Sequence, residues 1–588
     1  MSTISTHESA DKLVDMPTQV SSSARLEESP ETPTMHPQHA NTSVRKNSLI
    51  MAVGTAASRV TGQIRSILLA AAIGTTGIAA NAYQTGSTIP QVIFTLISGG
   101  IFNAVLVPQI VRTLQHHDAK DRLNKLITLA MALLIGITAT MMFLTPLITR
   151  LYVNPNWDSQ QRALVNAFTL WCMPQIFFYG VYLVLGQILA ATGRFGMYAW
   201  SSVFANVISC AGFTVFIVLF GNASRRPLDF WNAQTLALTA GSWTLGVAVQ
   251  ALVLFIPLMK IGLHYRIRWG LRGLGLRSMG RVAAWSLAIT AIDLVIGMIT
   301  SQINTGAPHA AGDLYNVAGN GSYQYAYSLF ILPYSLIAVS ITTAAFPKLA
   351  QSISKHRIDQ AQHDLFSSLR LVVLCMVFFS AALIVMPLPI IRALLPSVNL
   401  HDAALISGPL IGLSVALLPA SVFLLAQRTF YAFEDGRSTF LVALVQVSVQ
   451  CVLMLLSVVI MPPQWWASAV GWSIALSNAA AMPYLFIRLR RRMPHMHHDA
   501  LTLARTLLYS LLAGCIAAGV CWIVLHELMA IWHISASAAG VMSWVQAVVI
   551  CIIGSVVMIV LYGGILHLCK VPEVRTLLTM VKQKLLRR

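Results

Sequence analysis

Fourteen segments of the chain, each about 20 residues long or longer, consist predominantly of apolar residues. An α-helix of about 20 such residues crosses the hydrocarbon core of a bilayer. Only 10% of the residues are charged and the mean hydropathy is +0.70, whereas about a quarter of the residues of soluble domains are charged. The chain is therefore predicted to be a polytopic membrane protein. The predicted spans are 49–73, 86–112, 123–149, 163–191, 197–220, 232–260, 282–304, 322–347, 368–392, 404–427, 438–461, 466–487, 501–526 and 541–568.

The positions of Lys and Arg test that count. With the N-terminus in the cytoplasm, 32 of the 39 Lys and Arg residues fall in segments predicted to be cytoplasmic, and five fall outside. Cytoplasmic loops are enriched in these residues, and one missed or added span would invert every later loop. The sequence thus predicts fourteen spans in the plasma membrane with both termini cytoplasmic. The same loops account for the net charge of +19, so nucleic-acid binding is not indicated.

The sequence contains no motif that indicates catalysis, metal binding or nucleotide binding. Its eight cysteines lie in or beside predicted spans without a CxxC pair, as expected of small packing residues. Neither a phosphate-binding Walker loop nor a zinc-protease helix motif is present. We therefore predict neither an enzyme nor a cofactor or metal site.

The chain repeats itself at an interval of about 243 residues. Pro90 and Pro333 are 243 positions apart, as are Gly193 and Gly436. Because six spans return the chain to the same side, the second half enters the membrane in the same orientation as the first. Such parallel repeats enclose a central cavity and rock to expose it alternately on each side. Ordinary kinked packing helices are the alternative interpretation.

The predicted fold class is an all-α polytopic membrane protein with two six-helix lobes and two further C-terminal helices. The lobes are expected to be related by a pseudo-two-fold axis along the membrane normal. The predicted regions are a disordered cytosolic tail (1–47), an N-terminal lobe (48–262), a C-terminal lobe (263–492), and the last two spans with a basic cytosolic C-terminus (493–588).

Two arginines, Arg59 and Arg65, interrupt the first predicted span. A guanidinium within a membrane is costly, so it normally faces a protein cavity and an anion. Residues six apart on an α-helix are separated by a rotation of about 240° around the axis and by about 9 Å along it. The two side chains therefore do not stack but can flank one groove. Gly62 between them leaves room for a bulky group. The pair suits an extended anion such as a diphosphate.

The acid deepest in a predicted span is Asp293, in the first helix of the second half. We expect it to form a charge pair with Arg59 or Arg65 in the empty cavity and to be displaced by substrate, because the first helices of the two halves face each other across the pseudo-axis. A structural salt bridge or a hydrogen-bonded packing acid is the alternative.

The segment from Ser58 to Arg65 resembles the first-helix signature of the MurJ/MviN lipid II flippases, of the multidrug/oligosaccharidyl-lipid/polysaccharide exporter superfamily. The resemblance extends from about residue 46 to about residue 570. Its motifs are specific together, although none is decisive alone. They include Ala80-Asn81-Ala82-Tyr83, Ile89-Pro90-Gln91, Gly100-Ile101-Phe102-Asn103-Ala104, Tyr325-Ala326-Tyr327 and Thr429-Phe430-Tyr431.

This resemblance implies transport of lipid II, an undecaprenyl-diphosphate-linked peptidoglycan precursor, from the inner to the outer leaflet by alternating access, in support of cell-wall synthesis and cell shape. It implies that Arg59, Arg65, Gly62, Ser58 and Asn81 bind this substrate, and that the last two helices form a groove for its lipid tail. The implied partners are lipid II, the bilayer, and cell-wall synthesis or division proteins.

The chain also departs from the family pattern. Positions at which relatives often carry charge are Ser66, Asn81 and Ser328 here, which resembles actinobacterial forms and leaves Arg59 and Arg65 with most of the anion binding. Two alternatives stay open: an exporter of another polyprenyl-diphosphate glycan, and a transport-inactive membrane scaffold or regulatory subunit.

Overall fold

The structure, a computed structural model, describes residues 37–99, 110, 119–193, 195–260, 265–270, 281–493, 496–532 and 542–574. Every regular element in these ranges is a helix. Most of the predicted disordered tail lies outside the described residues, but its last part, from Pro37 onward, is helical.

Ten α-helices lie within the described residues of the first half of the chain. The helix is interrupted at Met173 and Pro174, and proline cannot donate a backbone hydrogen bond. A π-helical segment, Ala237–Gly241, separates two later helices. The helices are α1 (Pro37–Ile73), α2 (Gly77–Ile97), α3 (Ala119–Phe143), α4 (Thr145–Tyr152), α5 (Ser159–Cys172), α6 (Gln175–Ala191), α7 (Phe195–Phe220), α8 (Ala233–Leu236), α9 (Ser242–Leu252) and α10 (Phe255–Lys260).

In the part of the second half that the structure describes there are eight α-helices, and two more follow. A second π-helical segment, Tyr334–Ala338, begins directly after Pro333. The helices are α11 (Arg281–Ala310), α12 (Asn320–Pro333), α13 (Val339–Ser354), α14 (Ile358–Val385), α15 (Pro387–Leu394), α16 (Leu400–Ala432), α17 (Gly436–Ile460), α18 (Trp466–Arg490), α19 (His497–Ile531) and α20 (Trp544–Leu568).

The order of the helices recurs in the two halves. Helices α2 and α12 begin at Gly77 and Asn320, which are 243 positions apart. The short helices α4 and α15 each follow a long helix and begin at Thr145 and Pro387, 242 positions apart. The helical pattern therefore repeats at the interval that the prolines and glycines of the sequence indicate.

Twelve helical segments within the described residues are long and apolar enough to cross a membrane. Every predicted span coincides at least in part with a helix, but α1 and α2 are not among those twelve. Helix α1 carries Arg59 and Arg65, and α2 buries the polar side chains of Asn81 and Thr85. The expected count of fourteen is thus not confirmed by length and hydropathy, and the two helices that fall short carry predicted site residues.

The last two helices pack on the second half of the chain. Helix α19 packs against α14, and α20 packs against α15 and α19. The hydroxyl of Tyr562 donates to the carbonyl of Leu374 at 2.7 Å, and the indole N–H of Trp544 donates to the carbonyl of Ala393 at 3.1 Å. The multi-pass membrane protein therefore consists of a repeated pair of helical bundles with an extra helical pair attached to the second.

Candidate functional site

A cavity of about 420 Å³ lies between the two halves. Its wall is formed mainly by α1, α6 and α7 from the first half, and by α12 from the second. Four of the predicted site residues line it: Ser58, Arg59, Gly62 and Arg65. The two arginines, six positions apart on α1, therefore border a single cavity, as expected from helix geometry.

Arg65 is held by an aromatic ring. Its guanidinium lies over the indole of Trp243 in α9, 3.9 Å from the ring centroid, within the range of a cation–π interaction. Its Nε is buried and has no hydrogen-bond partner among the described residues. The ring positions the cation without neutralising it, because an aromatic face carries no formal charge.

Arg59 is exposed within the same cavity. Among the described residues, neither Arg59 nor Arg65 forms a salt bridge with a carboxylate. The polar groups that share the cavity wall include the neutral side chains of Ser66 and Ser328. The cavity thus presents two unneutralised guanidinium groups within the predicted depth of the membrane.

The backbone of α1 beside the arginines is fixed by Asn206 of α7. The Asn206 amide donates to the carbonyl of Ser58 and to the hydroxyl of Thr61, both at 3.1 Å. A methyl group added at Gly62 would lie 3.5 Å from the same amide nitrogen. Gly62 lines the cavity, but the side on which a side chain would project faces α7.

Asn81 does not line the cavity. It is buried between the two halves, where its side-chain oxygen accepts a hydrogen bond from the backbone N–H of Gly321 at 2.7 Å. The structure therefore places this predicted substrate-binding residue in a contact between the start of α2 and the start of α12.

Asp293 is exposed on α11 and interacts electrostatically with Tyr327 and Tyr431 of the second half. Among the described residues it forms no ion pair with Arg59 or Arg65. The predicted charge pair is absent from this conformation, and its formation in another conformation stays a prediction.

Hydrogen bonds between the two halves concentrate at one end of the bundle, which we call the closed end. It contains the turns 74–76, 153–158 and 311–319. The bonds link Asn154 N to Thr305 Oγ1 (3.0 Å), Trp157 Nε1 to Thr305 O (3.0 Å), Gln302 Nε2 to Leu151 O (2.9 Å), His309 Nε2 with Gln161 Oε1 (2.8 Å), Asn320 Nδ2 to Thr85 Oγ1 (2.8 Å) and Ser322 Oγ to Thr75 O (3.2 Å).

The cavity extends along α1 away from the closed end. Its lining runs from Ser66 back to Met51, toward the start of the helix. Near Ser66, the amide of Gln63 donates to the carbonyl of Leu394 at 2.8 Å, and the hydroxyl of Ser397 donates to the carbonyl of Ile67 at 3.2 Å. The halves are therefore joined from Gln63 toward the closed end, and the cavity lies along α1 from there toward Met51.

No metal centre accompanies this cavity within the described ranges: no group of three or more His, Cys, Asp or Glu residues there is placed to hold a metal ion. Arginine donates hydrogen bonds and accepts none, and hydroxyl groups can also donate to an anion. The site is suited to binding an anion.

The sequence of the chain matches a known protein family over most of its length. The family model described as "Lipid II flippase MurJ" matches residues 69–543. The chain belongs to the MurJ lipid II flippase family. The match begins after Arg65, so membership rests on the region from α2 to α19 and is independent of the two arginines.

Several proteins of this family are similar to the chain over most of their length. A protein of Rhizobium tropici named "Probable lipid II flippase MurJ" is 25% identical over 467 residues, which cover 76% of this chain and 81% of the relative. A protein of the same name from Rhizobium meliloti (strain 1021) is 24% identical over 416 residues, covering 68% and 73%.

Solved structures support the same fold. A structure titled "Lipid II flippase MurJ, inward closed conformation" is similar with a TM-score of 0.65 and 15% identity, covering 87% of this chain and 98% of that one. An inward-facing multidrug resistance MATE family transporter of the MOP superfamily is similar with a TM-score of 0.59 and 14% identity, covering 74% and 96%. The chain thus shares its overall fold with these two structures.

Proposed function

We propose that this chain transports lipid II, the undecaprenyl-diphosphate-linked peptidoglycan precursor, from the inner to the outer leaflet by alternating access. The observation that carries the proposal is the pair of unneutralised arginines, Arg59 and Arg65, in one cavity between the repeated halves. Membership of the lipid II flippase family supports the choice of substrate.

The diphosphate is the group that the arginines are suited to bind. Guanidinium groups form charge-assisted, often bidentate hydrogen bonds with phosphate oxygens. Trp243 holds Arg65 through its aromatic face, which leaves the guanidinium N–H groups free for an anion. We propose that the substrate diphosphate neutralises both cations, and that the chain binds and moves its substrate without covalent chemistry.

The remainder of the substrate lies toward the open part of the cavity. A volume of about 420 Å³ falls in the range of small-molecule sites, about 300–1,000 Å³, and is small for a complete disaccharide-pentapeptide. We therefore place the diphosphate between Arg59 and Arg65 and the glycopeptide along α1 toward Met51.

The predicted topology assigns a direction to the observed conformation. The closed end carries the loops that are predicted to face outward, because the loops at the other end hold most of the Lys and Arg. With cytoplasmic termini, the cavity is closed toward the outside and accessible from the cytoplasmic side. Substrate would enter in this state and leave after the hydrogen bonds at the closed end break.

The lipid tail has a candidate location on the second half. Helices α19 and α20 pack on α14 and α15 and have no counterpart in the repeat. Their outer faces expose apolar side chains, among them Ile516, Trp522 and Ile552. We propose that this pair accommodates the undecaprenyl chain, as the family resemblance implies, while the diphosphate occupies the cavity.

Replacement of each arginine tests the proposal. Arg59→Ala and Arg65→Ala should each abolish complementation of a flippase-deficient cell and leave lipid II in the inner leaflet, because charge-assisted hydrogen bonds contribute about 1.5–3 kcal/mol each. Lysine at either position should restore part of the activity, since a point charge does not reproduce the guanidinium fork.

Arg226→Ala is the matched control, because Arg226 is a loop arginine that contacts Phe230 and does not line the cavity. All variants must reach the membrane at equal levels. Normal growth and normal lipid II sidedness with Arg59→Ala or Arg65→Ala would exclude the diphosphate site. Accumulation of a different polyprenyl-diphosphate glycan would instead identify a different substrate for the same site.

A further inference from the structure

A second polar cavity, of about 560 Å³, lies at the closed end of the first half. Its walls come from α4, α5 and the turn between them. It shares no lining residue with the cavity of Arg59 and Arg65. Its polar lining residues are Thr149, Arg150, Asn154, Ser159, Arg162 and Asn166.

Two arginines give this cavity a positive charge. Arg150, in the last turn of α4, is exposed, and within the described part of the chain its guanidinium has no ion-pair or hydrogen-bond partner. Arg162 donates one hydrogen bond to the carbonyl of Pro155 at 2.5 Å. No carboxylate belongs to the lining, so neither charge is neutralised within the cavity.

The neutral groups around the arginines offer further hydrogen bonds. Asn154 and Ser159 lie in the same wall as the arginines. Thr149 and Asn166 are hydrogen-bonded to each other, which fixes the side of the cavity between α4 and α5. Two cations beside hydroxyl and amide groups form a site for a phosphate group that is attached to a polar, hydroxyl-bearing moiety.

The position of α4 places the cavity at the level of lipid head groups. The chain around Arg150 exposes Phe143 (85%), Leu147 (57%) and Leu151 (45%). In a membrane protein such a face meets acyl chains, and a short amphipathic helix lies at the boundary between chains and head groups. Arginine side chains next to apolar surface extend toward the head groups, so we expect Arg150, which directly follows the third predicted span, to lie at the depth of lipid phosphates.

We propose that this cavity binds the phosphate group of an anionic lipid in the leaflet at the closed end. The site is distinct from the proposed transport site and does not depend on lipid II transport. The phosphate can belong to a phospholipid of the bilayer or to a polyprenyl diphosphate. Both present negatively charged phosphate oxygens to Arg150 and Arg162.

The bound phosphate lies beside the contacts that join the halves. Asn154 lines the cavity, and its backbone N–H and side-chain amide donate across the interface to Thr305 Oγ1 at 3.0 Å and to the Gln302 carbonyl at 3.3 Å. The lipid site therefore includes a residue, Asn154, that bonds across the closed end.

Native mass spectrometry of the full-length protein in detergent tests the site. With phosphatidylglycerol and phosphatidylcholine added in equal amounts, the wild type should retain phosphatidylglycerol preferentially. The double variant Arg150→Gln/Arg162→Gln should bind it at least about tenfold more weakly, which corresponds to about 1.4 kcal/mol. The double lysine variant should retain most of the binding, because it keeps both charges.

The control is Arg225→Gln/Arg226→Gln, which removes two arginines from another loop of the closed end that does not line the cavity. It should bind phosphatidylglycerol as the wild type does. An equal loss in this control, or unchanged binding in Arg150→Gln/Arg162→Gln, would overturn the proposal. If the double glutamine variant unfolds, Arg150→Gln alone decides the matter, because its exposed side chain can be replaced without breaking a described contact.

Competition with undecaprenyl diphosphate identifies the source of the phosphate. Displacement of phosphatidylglycerol from the wild type indicates that a polyprenyl diphosphate also occupies the site, and retention of phosphatidylglycerol indicates a bilayer phospholipid. Arg59→Ala should leave this lipid binding intact, so failure of the transport proposal and failure of the lipid site are separate results.

Discussion

The guanidinium of Arg65 lies 3.9 Å from the centroid of the Trp243 ring, and this contact joins α1 to α9 within the first half. Arg65 also interacts electrostatically with Tyr83, Tyr179 and Tyr325. An aromatic environment stabilises a cation through ring quadrupoles and polar hydroxyl groups without supplying a counter-charge. Arg65 can therefore be held in place and still require an anion.

Replacement of Trp243 should weaken the function of Arg65. Because cation–π contacts contribute about 0.5–2 kcal/mol, Trp243→Leu should lower complementation about 2- to 30-fold, and Trp243→Phe should have a smaller effect. The measurement is the lowest expression level that supports growth of a flippase-deficient cell. Trp472→Leu, at an exposed position of the second half, is the control. Equal requirements for wild type and Trp243→Leu would show that the ring does not position the arginine.

Two glycines of α1 should respond oppositely to alanine. A methyl group at Gly54 would lie 2.9 Å from the Ala199 Cβ, closer than packed carbon atoms approach, whereas one at Gly62 would lie 3.5 Å from the Asn206 amide nitrogen. Gly54→Ala should therefore lower the melting temperature, while Gly62→Ala should keep or raise it, because alanine favours a helix by about 1 kcal/mol over glycine.

Thermal unfolding of the two purified variants in detergent makes this comparison. If Gly54→Ala and Gly62→Ala lost stability equally, the different amounts of free space beside the two glycines would not determine their tolerance of alanine. Gly62→Ala should also keep transport, because the added methyl group faces Asn206 of α7 and not the cavity.

The helices could be predicted from the sequence because a bilayer leaves few alternatives. Backbone groups inside a membrane must be hydrogen-bonded within helices, so the apolar segments of the sequence each coincide at least in part with a helix, although α1 and α2 are less apolar than the others. The repeat was visible in Pro90 and Pro333 because prolines that bend helices occupy equivalent places in the two bundles. The arginines stood out because charge is rare at such positions.

The partners of the site residues could not be predicted in the same way. Trp243 lies 178 positions from Arg65, and their contact depends on how α1 packs against α9. Asn81 has the same local sequence whether it faces a cavity or, as observed, bonds to Gly321. The predicted partner of Asp293 depends on the conformation of the two halves, which the spacing of residues along a helix does not specify.

Acid should weaken a contact in the loop after α16. Partial burial by itself raises the pKa of the Asp435 carboxyl, but hydrogen bonds from Arg492 and Ser438 outweigh burial and hold this pKa below its ordinary value. A lowered pKa in the folded state means that the stabilisation is present above the unfolded pKa of about 3.9 and is lost as the pH falls through the folded value.

Melting temperatures of wild type and Asp435→Asn should therefore differ by a constant amount from about pH 7 to about pH 5, with the wild type more stable, and should converge below about pH 4. Glu434→Gln, at an exposed neighbouring position, should show no such convergence. A difference between wild type and Asp435→Asn that persisted unchanged below pH 4 would show that ionisation of Asp435 is not the cause.

A cross-link at the closed end should stop transport. The amide of Asn320 donates to the hydroxyl of Thr85 at 2.8 Å, and these buried side chains join α12 to α2. The direct hydrogen bond between these side chains places the two positions side by side, so cysteines there are candidates for a disulfide. Because alternating access requires the halves to separate at this end, oxidation of Thr85→Cys/Asn320→Cys should abolish lipid II transport, and reduction should restore it.

Each single-cysteine variant is the control for the chain's own eight free cysteines, and should transport equally before and after oxidation. Undiminished transport by a fully cross-linked protein would show that the closed end does not open, and that substrate leaves by another route.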